Sequence, residues 1–373
     1  MRAWIRHAEL SGNAGTQRTE TWEVRQDGKT LASFPISVTL GKPLDVVGLK
    51  GTALEGVCDY AAFLQKTAKE LYASDHRFTE VQSCPCCDAE TNSATFEFAV
   101  FGIPYHRCVQ CRHVFVRRQP QAEDLDQQFE ESEEHSAPYI DSATLEIRLE
   151  QVIQPKVEWA LRAFRNYYGR DLNSGLDVGA GGGHFVEGLR RAGVKADGFE
   201  LSRVSRQFAK TSFGIDLRSD DFLAVKPDSG AYDLITFWGL LEYTPQPKRF
   251  LQAARNWLRH EEGMLVVEVP RFDCLGTIIQ KEFPATVARH LDPTSHVNCF
   301  SDASLATALY NSGFKPVAAW YFGMDVYESL IQLSIHSHPE LIDTFAYLIP
   351  SLQAGVDRVQ WSDDLVVAAV PVE

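Results

Sequence analysis

The chain has 373 residues, 45% of them hydrophobic, with a formal charge of -14 at pH 7. Such a chain can bury at least one large core and divide into two or three domains, which excludes a disordered or fibrous protein. The acidic balance sets it against a polyanionic partner such as DNA or RNA. With no apolar core and cleavage site at its start and no apolar run near the roughly 20 residues that span a bilayer, it reads as a soluble cytoplasmic protein.

Residues 1–80 read as a small α+β region. "TETWEVRQDGKTLASFPISVTL" predicts two strands around an Asp27-Gly28 turn, the common hairpin signal. "CDYAAFLQKTAKELY" predicts a helix through Tyr60, Phe63, Leu64 and Leu71. No chemical motif is found in this region.

Residues 81–118 hold five of the eight cysteines; the other three are Cys58, Cys274 and Cys299. "CPCC" and "CVQC" give Cys84-x2-Cys87 and Cys108-x2-Cys111, with twenty residues between the pairs. In a cytosolic chain of this size such spacing favours a tetrahedral zinc ribbon over disulfides. Four thiolates close the shell, so the metal would be structural. Cys86 lies between two ligands and is the alternative to Cys87. Arg107, Arg112, Arg117 and Arg118 form a local basic spot, either a solvated face or a grip on a partner.

Residues 119–150 read as an acidic connector. An amphipathic stretch follows, "ATLEIRLEQVIQPKVEWALRAFRNYYG", interrupted at Pro155. From residue 174 short apolar runs alternate with helical ones: "GLDVGA", "GHFVEGLRRAG", "KADGFELS", "RVSRQFAKTSFG", "YDLITFWGLLEY", "KRFLQAARNWLR", "EGMLVVEVP". Alternating strands and helices predict a mostly parallel α/β sheet. The chain closes with helix "DASLATALYNSGF", strand "KPVAAWYF", a helical insertion, and strand "DDLVVAAVPV".

The first strand of that sheet ends in "LDVGAGGGHF", with Asp177, Gly179, Gly181, Gly182 and Gly183. Ligands bind open α/β sheets at the carboxyl ends of strands, and glycines let backbone amides approach them. A dinucleotide fingerprint would need a third glycine where His184 stands. Glu200 ends the second strand, placed to accept from ribose hydroxyls.

"LDVGAGGGHF...GFELS" resembles the nucleoside loop of class I methyltransferases that use S-adenosylmethionine. The resemblance spans about residues 81–373 and implies a Rossmann-like sheet with an antiparallel last strand. It assigns Asp177, Gly179, Gly181, Gly183 and Glu200 to the cofactor. In "SDDF", Asp221 would accept from the adenine amino group and Phe222 would contact the ring. "YDLITFWGLLEYTPQP" is similar to the fourth-strand signature, with Trp238 against the methyl site and Leu241-Glu242-Tyr243 where the family usually has Leu-Glu-His. "SHVNCFSDASLATALYNSGF" matches the family's histidine, Phe-Ser, helix and Gly-Phe order at His296 and Phe300. A ribbon of this kind before a class I domain resembles bacterial small-molecule methyltransferases, including those acting on deoxysugars. "APYIDS" replaces the Tyr-His-Ser stretch of the deoxysugar enzymes.

The resemblance implies methyl transfer to a small-molecule acceptor, a sugar or other secondary metabolite, on oxygen or carbon. His296 is the first expectation for the general base, with Tyr243, Glu242, His184 and His290 as alternatives, and Tyr139 as a cover for the cofactor. Two other readings stand beside it: an NAD(P)-dependent oxidoreductase, and an inactive domain serving as a binding scaffold. Residues 1–80, 119–150 and 324–361 are where acceptor contacts or a homodimer face would lie.

Overall fold

The computed structural model describes residues 2–7, 17–26, 29–73, 78–121, 140, 144–227, 230–260, 262–286 and 290–372. Strands β1 (Arg2–His7), β2 (Gln17–Gln26) and β3 (Lys29–Leu40) form an antiparallel meander. The two strands expected around Asp27-Gly28 are present; the turn residues themselves lie outside the described residues. Short helix α1 (Val46–Lys50) and helix α2 (Leu54–Leu71) follow. In α2 the buried face is Ala61, Leu64 and Ala68, an i, i+3, i+7 stripe.

The ribbon comes next. β4 (Phe78–Glu80) pairs with β8 (Arg118–Pro120), and β5 (Thr95–Val100), β6 (Ile103–Arg107) and β7 (Val114–Val116) form an antiparallel sheet. Of the connector expected over 119–150, residues 122–139 and 141–143 lie outside the described residues.

The amphipathic stretch around Pro155 is helical on both sides of the proline. Helix α3 (Leu145–Arg148) passes through a five-residue π-turn, Leu149–Ile153, into α4 (Gln154–Tyr168). Proline has no N–H to give and crowds the carbonyl four residues before it. The wider π-turn sits where α-helical bonding would otherwise meet it, and leaves Pro155 in the first turn of α4.

The alternating runs then build the central sheet. β9 (Ser174–Val178), α5 (His184–Arg191), β10 (Lys195–Phe199), α6 (Arg203–Phe213), β11 (Leu234–Trp238), α7 (Pro247–Trp257) and β12 (Met264–Pro270) give four parallel strands in the order β12-β11-β9-β10. The strands are covered on both faces and read as continuous apolar runs; Met264 to Val267 have no exposed surface. The run "YDLITFWGLLEY" is strand only to Trp238, and ahead of "SDDF" the chain touches the sheet through one bridge, Phe199 to Arg218. Helix α8 (Leu275–Glu282), β13 (Asn298–Cys299), α9 (Asp302–Asn311) and β14 (Phe314–Phe322) follow. Helices α10 (Asp325–His336), α11 (Leu341–Phe345) and α12 (Ile349–Arg358) precede β15 (Asp364–Pro371). β15 is antiparallel to both β12 and β14, as expected of the last strand.

The boundary at residue 80 does not separate two sheets. β3 pairs in parallel with β14, Ser37 with Ala318 through Leu40 with Tyr321, so one nine-stranded sheet runs β1-β2-β3-β14-β15-β12-β11-β9-β10. Trp159 of α4 fixes the junction: its Nε1 donates to Thr39 Oγ1 at 3.2 Å and its ring stacks on Trp320. Among the described residues, no helix is long and apolar enough to cross a membrane.

Behind the junction of α10 and β15 lies a buried acidic network. Gln353 Nε2 donates to Asp325 Oδ2 and Asp357 Oδ1, and Ser362 Oγ donates to Asp357 Oδ1. Burial pushes Asp357 up from 3.8 to about 7. A carboxyl raised on folding contributes full stability only below its unfolded value, and that contribution is lost as pH rises toward about 7. Asp357→Asn should therefore leave stability at pH 4 nearly unchanged and raise it at pH 8 by on the order of 1–3 kcal/mol, read from urea unfolding at the two pH values.

Candidate active site and metal centre

Cys84, Cys87, Cys108 and Cys111 bring their sulfurs within 4.8 Å of one another. Cys84 Sγ lies 3.5 Å from Cys111 Sγ, and Cys87 Sγ lies 3.7 Å from Cys108 Sγ. Four sulfurs about 2.3 Å from a central zinc would stand about 3.8 Å apart, so the donor set fits a tetrahedral Zn2+. The two knuckles repeat one geometry. Asp88 N donates to Cys84 O and Arg112 N to Cys108 O, both at 3.0 Å, and Asp88 and Arg112 take φ of 60° and 62°. Such a left-handed residue is usually glycine.

The structure also resolves the alternative at Cys86. It stands outside the cluster, fully buried, and its carbonyl accepts from Asn311 Nδ2 at 3.1 Å. The basic spot is mostly consumed within the ribbon. Arg107 forms a two-pronged bond with Glu97, holding that carboxyl down at about 2. Arg117 pairs with Glu80, and Arg118 lies over the Phe78 ring.

The glycine loop joins β9 to α5 with Gly179, Gly181 and Gly183 at positive φ. Two of these positions have different reasons for glycine. At Gly183 a Cβ would stand 2.9 Å from Ala209 Cβ, so close packing of α5 on α6 requires it. At Gly181 a Cβ would meet nothing within 4 Å. That open backbone faces Glu200, whose Oε2 accepts from Gly181 N and whose Oε1 accepts from Ser202 N, each at 2.7 Å. Burial raises the Glu200 pKa against the pull of these two amides. Each carboxylate oxygen keeps a lone pair for a further donor. Asp177 sits below, 2% exposed, accepting from Thr236 Oγ1 at 2.6 Å; burial pushes it up to about 7.

The segment leaving β11 carries Gly239 to Thr244. Glu242 is 2% exposed, burial holds its carboxyl well above the usual range, and its Oε2 makes no hydrogen bond among the described residues. Tyr243 and His296 meet with ring centroids 4.7 Å apart, and His290 lies 6.2 Å from His296. Three residues that the sequence offers as alternatives are thus brought together. His290 Nδ1 is also 3.8 Å from Asp363 Oδ2. The turn before His296 is fixed by Asp292, which accepts from Thr294 N and from the hydroxyls of Thr294 and Ser295.

Two expectations change. Phe222 is 4% exposed, stacked between Phe250 and Trp257; its ring is committed to the aromatic core and presents little surface to an adenine. Asp221 beside it is exposed and caps its own turn by accepting from Leu223 N. His184 is buried against Phe208 and Phe213 at the α5–α6 contact, and desolvation lowers it to about 4, so it serves packing. Tyr139 lies outside the described residues.

Sequence reasoning missed Lys156 and Glu268. Lys156 Nζ bonds Glu268 Oε1 at 2.7 Å and lies 4.7 Å from the centroid of the Trp238 ring, which packs on Phe185. The pair joins α4 to the end of β12. The available signal was a lysine at a buried helical position of α4 and an acid inside the apolar run "LVVEVP".

Residues 145–319 match the family described as a methyltransferase domain. Ubiquinone biosynthesis O-methyltransferase of Marinobacter nauticus is 30% identical over 104 residues, 26% of this chain and 44% of the relative. The same enzyme of Coxiella burnetii is 32% identical over 82 residues, 21% and 35% of the two chains. The chain thus spans less than half the length of these curated relatives. Among solved structures, a Burkholderia thailandensis 1,6-didemethyltoxoflavin-N1-methyltransferase with bound S-adenosylhomocysteine covers 72% of this chain and 99% of its own, at 13% identity and a TM-score of 0.44.

Purified protein should contain close to one zinc per chain by elemental analysis. Cys87→Ser should lower both zinc content and melting temperature, because binding at such a site is coupled to folding. Full zinc content in a Cys108→Ser, Cys111→Ser double variant would overturn the assignment.

Proposed function

We propose that the protein transfers a methyl group from S-adenosylmethionine to a small-molecule acceptor, a sugar or other secondary metabolite, with an oxygen acceptor favoured. The carrying observation is the open Gly181 backbone held against the doubly anchored Glu200 carboxylate at the ends of β9 and β10. The match over residues 145–319 supports the reaction class, and the similarity to O-methyltransferases of ubiquinone biosynthesis favours oxygen. The cofactor would supply a sulfonium methyl ready for in-line displacement.

The chain's own residues would do the rest. Gly179, Gly181 and Gly183 let the backbone approach, with Asp177 beneath the loop. Glu200 accepts from the ribose hydroxyls with its free lone pairs, and Asp221 accepts from the adenine amino group. Trp238 walls the methyl side. Burial holds the Glu242 carboxyl well above its usual range, which disfavours a second anion beside the acceptor. His296 takes the acceptor proton, with Tyr243 packed on its ring to hold its orientation. Fixing acceptor and methyl in line can supply much of the acceleration. The four-cysteine ribbon holds structural zinc.

Calorimetry should detect S-adenosylhomocysteine binding to the wild type, and NAD or NADP should not bind. Glu200→Ala removes a charged acceptor worth roughly 1.5–3 kcal/mol per bond, so affinity should fall at least tenfold with circular dichroism unchanged. Absence of binding to the wild type would leave the scaffold reading.

The acceptor can be found by mass spectrometry as a metabolite that gains a methyl group when extract, protein and S-adenosylmethionine are combined. With it, His296→Ala should lower turnover about 10²–10⁴-fold and abolish the rise of rate with pH, while cofactor affinity holds. Tyr243→Phe should keep most of the activity. The reverse pattern would move the base to the segment after β11.

A further inference from the structure

The ribbon sheet is not closed by ribbon residues alone. Its strand order is β13-β7-β6-β5, and β13 belongs to the segment that carries His296. Asn298 pairs with Phe115 and Cys299 with Val114, and Val116 N donates to Val297 O at 2.9 Å. Tyr105 of β6 donates its hydroxyl to the carbonyl of His296 itself, at 2.9 Å. The metal knuckle is therefore hydrogen-bonded, strand by strand, to the segment on which the proposed base stands.

A second connection runs through side chains. Cys108 N donates to His113 O at 2.8 Å, which ties His113 to the second knuckle. His113 and Asn298 have no exposed surface. Asn298 Nδ2 donates to Thr244 O at 2.7 Å and Leu241 O at 3.3 Å, and Asn298 N donates to Glu242 O at 3.1 Å. With both amide hydrogens so used, Oδ1 must be the acceptor at the 3.0 Å contact to His113 Nε2. His113 then carries its proton on Nε2, which leaves Nδ1 as an acceptor 3.3 Å from Ser304 Oγ, a hydroxyl that also lies within donating distance of Ser301 O at 3.2 Å. In contrast, neither Gly181 nor Glu200 is hydrogen-bonded to any residue of 81–118 among the described residues.

We infer that the four-cysteine ribbon is the frame for the acceptor side of the site, with His113 and Asn298 as positioning residues that hold the 241–244 and 296–299 segments to it. The inference rests on the methyltransferase reading for the meaning of "acceptor side", but its geometry is independent of which molecule is methylated. It predicts that metal or His113–Asn298 damage disturbs His296 while sparing the cofactor loop.

The test uses the full chain with isotope-labelled histidine, the His296 imidazole signals being assigned by comparison with His296→Gln. In Asn298→Ala with its zinc retained, the His296 signals should move or split and its titration curve should shift. S-adenosylhomocysteine affinity by calorimetry should change by less than about threefold. Chelating the zinc should have the same two effects, and adding zinc back should reverse them. An unmoved His296 titration in Asn298→Ala would overturn the inference. So would a loss of S-adenosylhomocysteine affinity in parallel with the His296 change. If chelation unfolds the protein, Asn298→Ala still decides the matter. If the wild type binds no S-adenosylhomocysteine, the proposed function fails, whereas the His296 signals continue to test the frame.

Discussion

One asparagine side chain sets the relation between the two halves of this protein. Asn298 bonds a ribbon histidine with its oxygen and two carbonyls of the segment after β11 with its nitrogen. A buried amide leaves no slack, because any donor or acceptor without a partner carries its full desolvation cost. The geometry at Asn298 therefore fixes three pieces of chain at once: a cysteine knuckle, the segment holding Glu242 and Tyr243, and the strand that follows His296. Ribbon and sheet are better understood as one body with a shared seam than as two modules joined by a linker.

The charge distribution at the strand ends complements that seam. Asp177, Glu200, Glu242 and Glu268 gather near the carboxyl ends of β9 to β12, with Lys156 bonded to Glu268 and Arg206 bonded to the Glu200 carbonyl. Burial answers part of the repulsion by favouring protonated carboxyls at Asp177 and Glu242. Lys156 answers the rest at Glu268. The result is a site whose negative charge is partly offset before any ligand arrives.

Much of this was legible in the sequence, for definite reasons. Alternating apolar and helical periods from residue 174 dictate a parallel sheet, and the two C-x2-C pairs bring four thiols together because each knuckle is a short local turn. Gly181 and Glu200 were readable because they sit at fixed offsets from a strand. What escaped depends on contacts distant in sequence. Nothing local in β3 says that it will lie beside β14, whose paired residues 318–321 come far later in the chain. Phe222 follows an exposed acid and could face either way; Phe250 and Trp257 decide it. His113 looks like one polar residue in a ribbon until Asn298 is folded onto it. Lys156 is one more basic residue of an amphipathic helix until β12 supplies its acid.

The pairing of β3 with β14 has a consequence for how the chain is made. Residues 37–40 emerge early, yet their partners are residues 318–321. At synthesis rates of about 5–20 residues per second, that interval is about 15–55 s. Throughout it, one side of β3 presents unsatisfied backbone groups beside Ile36, Val38 and Leu40, all of them buried in the finished fold. An open apolar edge of that kind is a template for any other strand in reach. That edge stays open until residues 318–321 have been made, and a ribosome that stalls before residue 314 leaves behind a product with a sticky border.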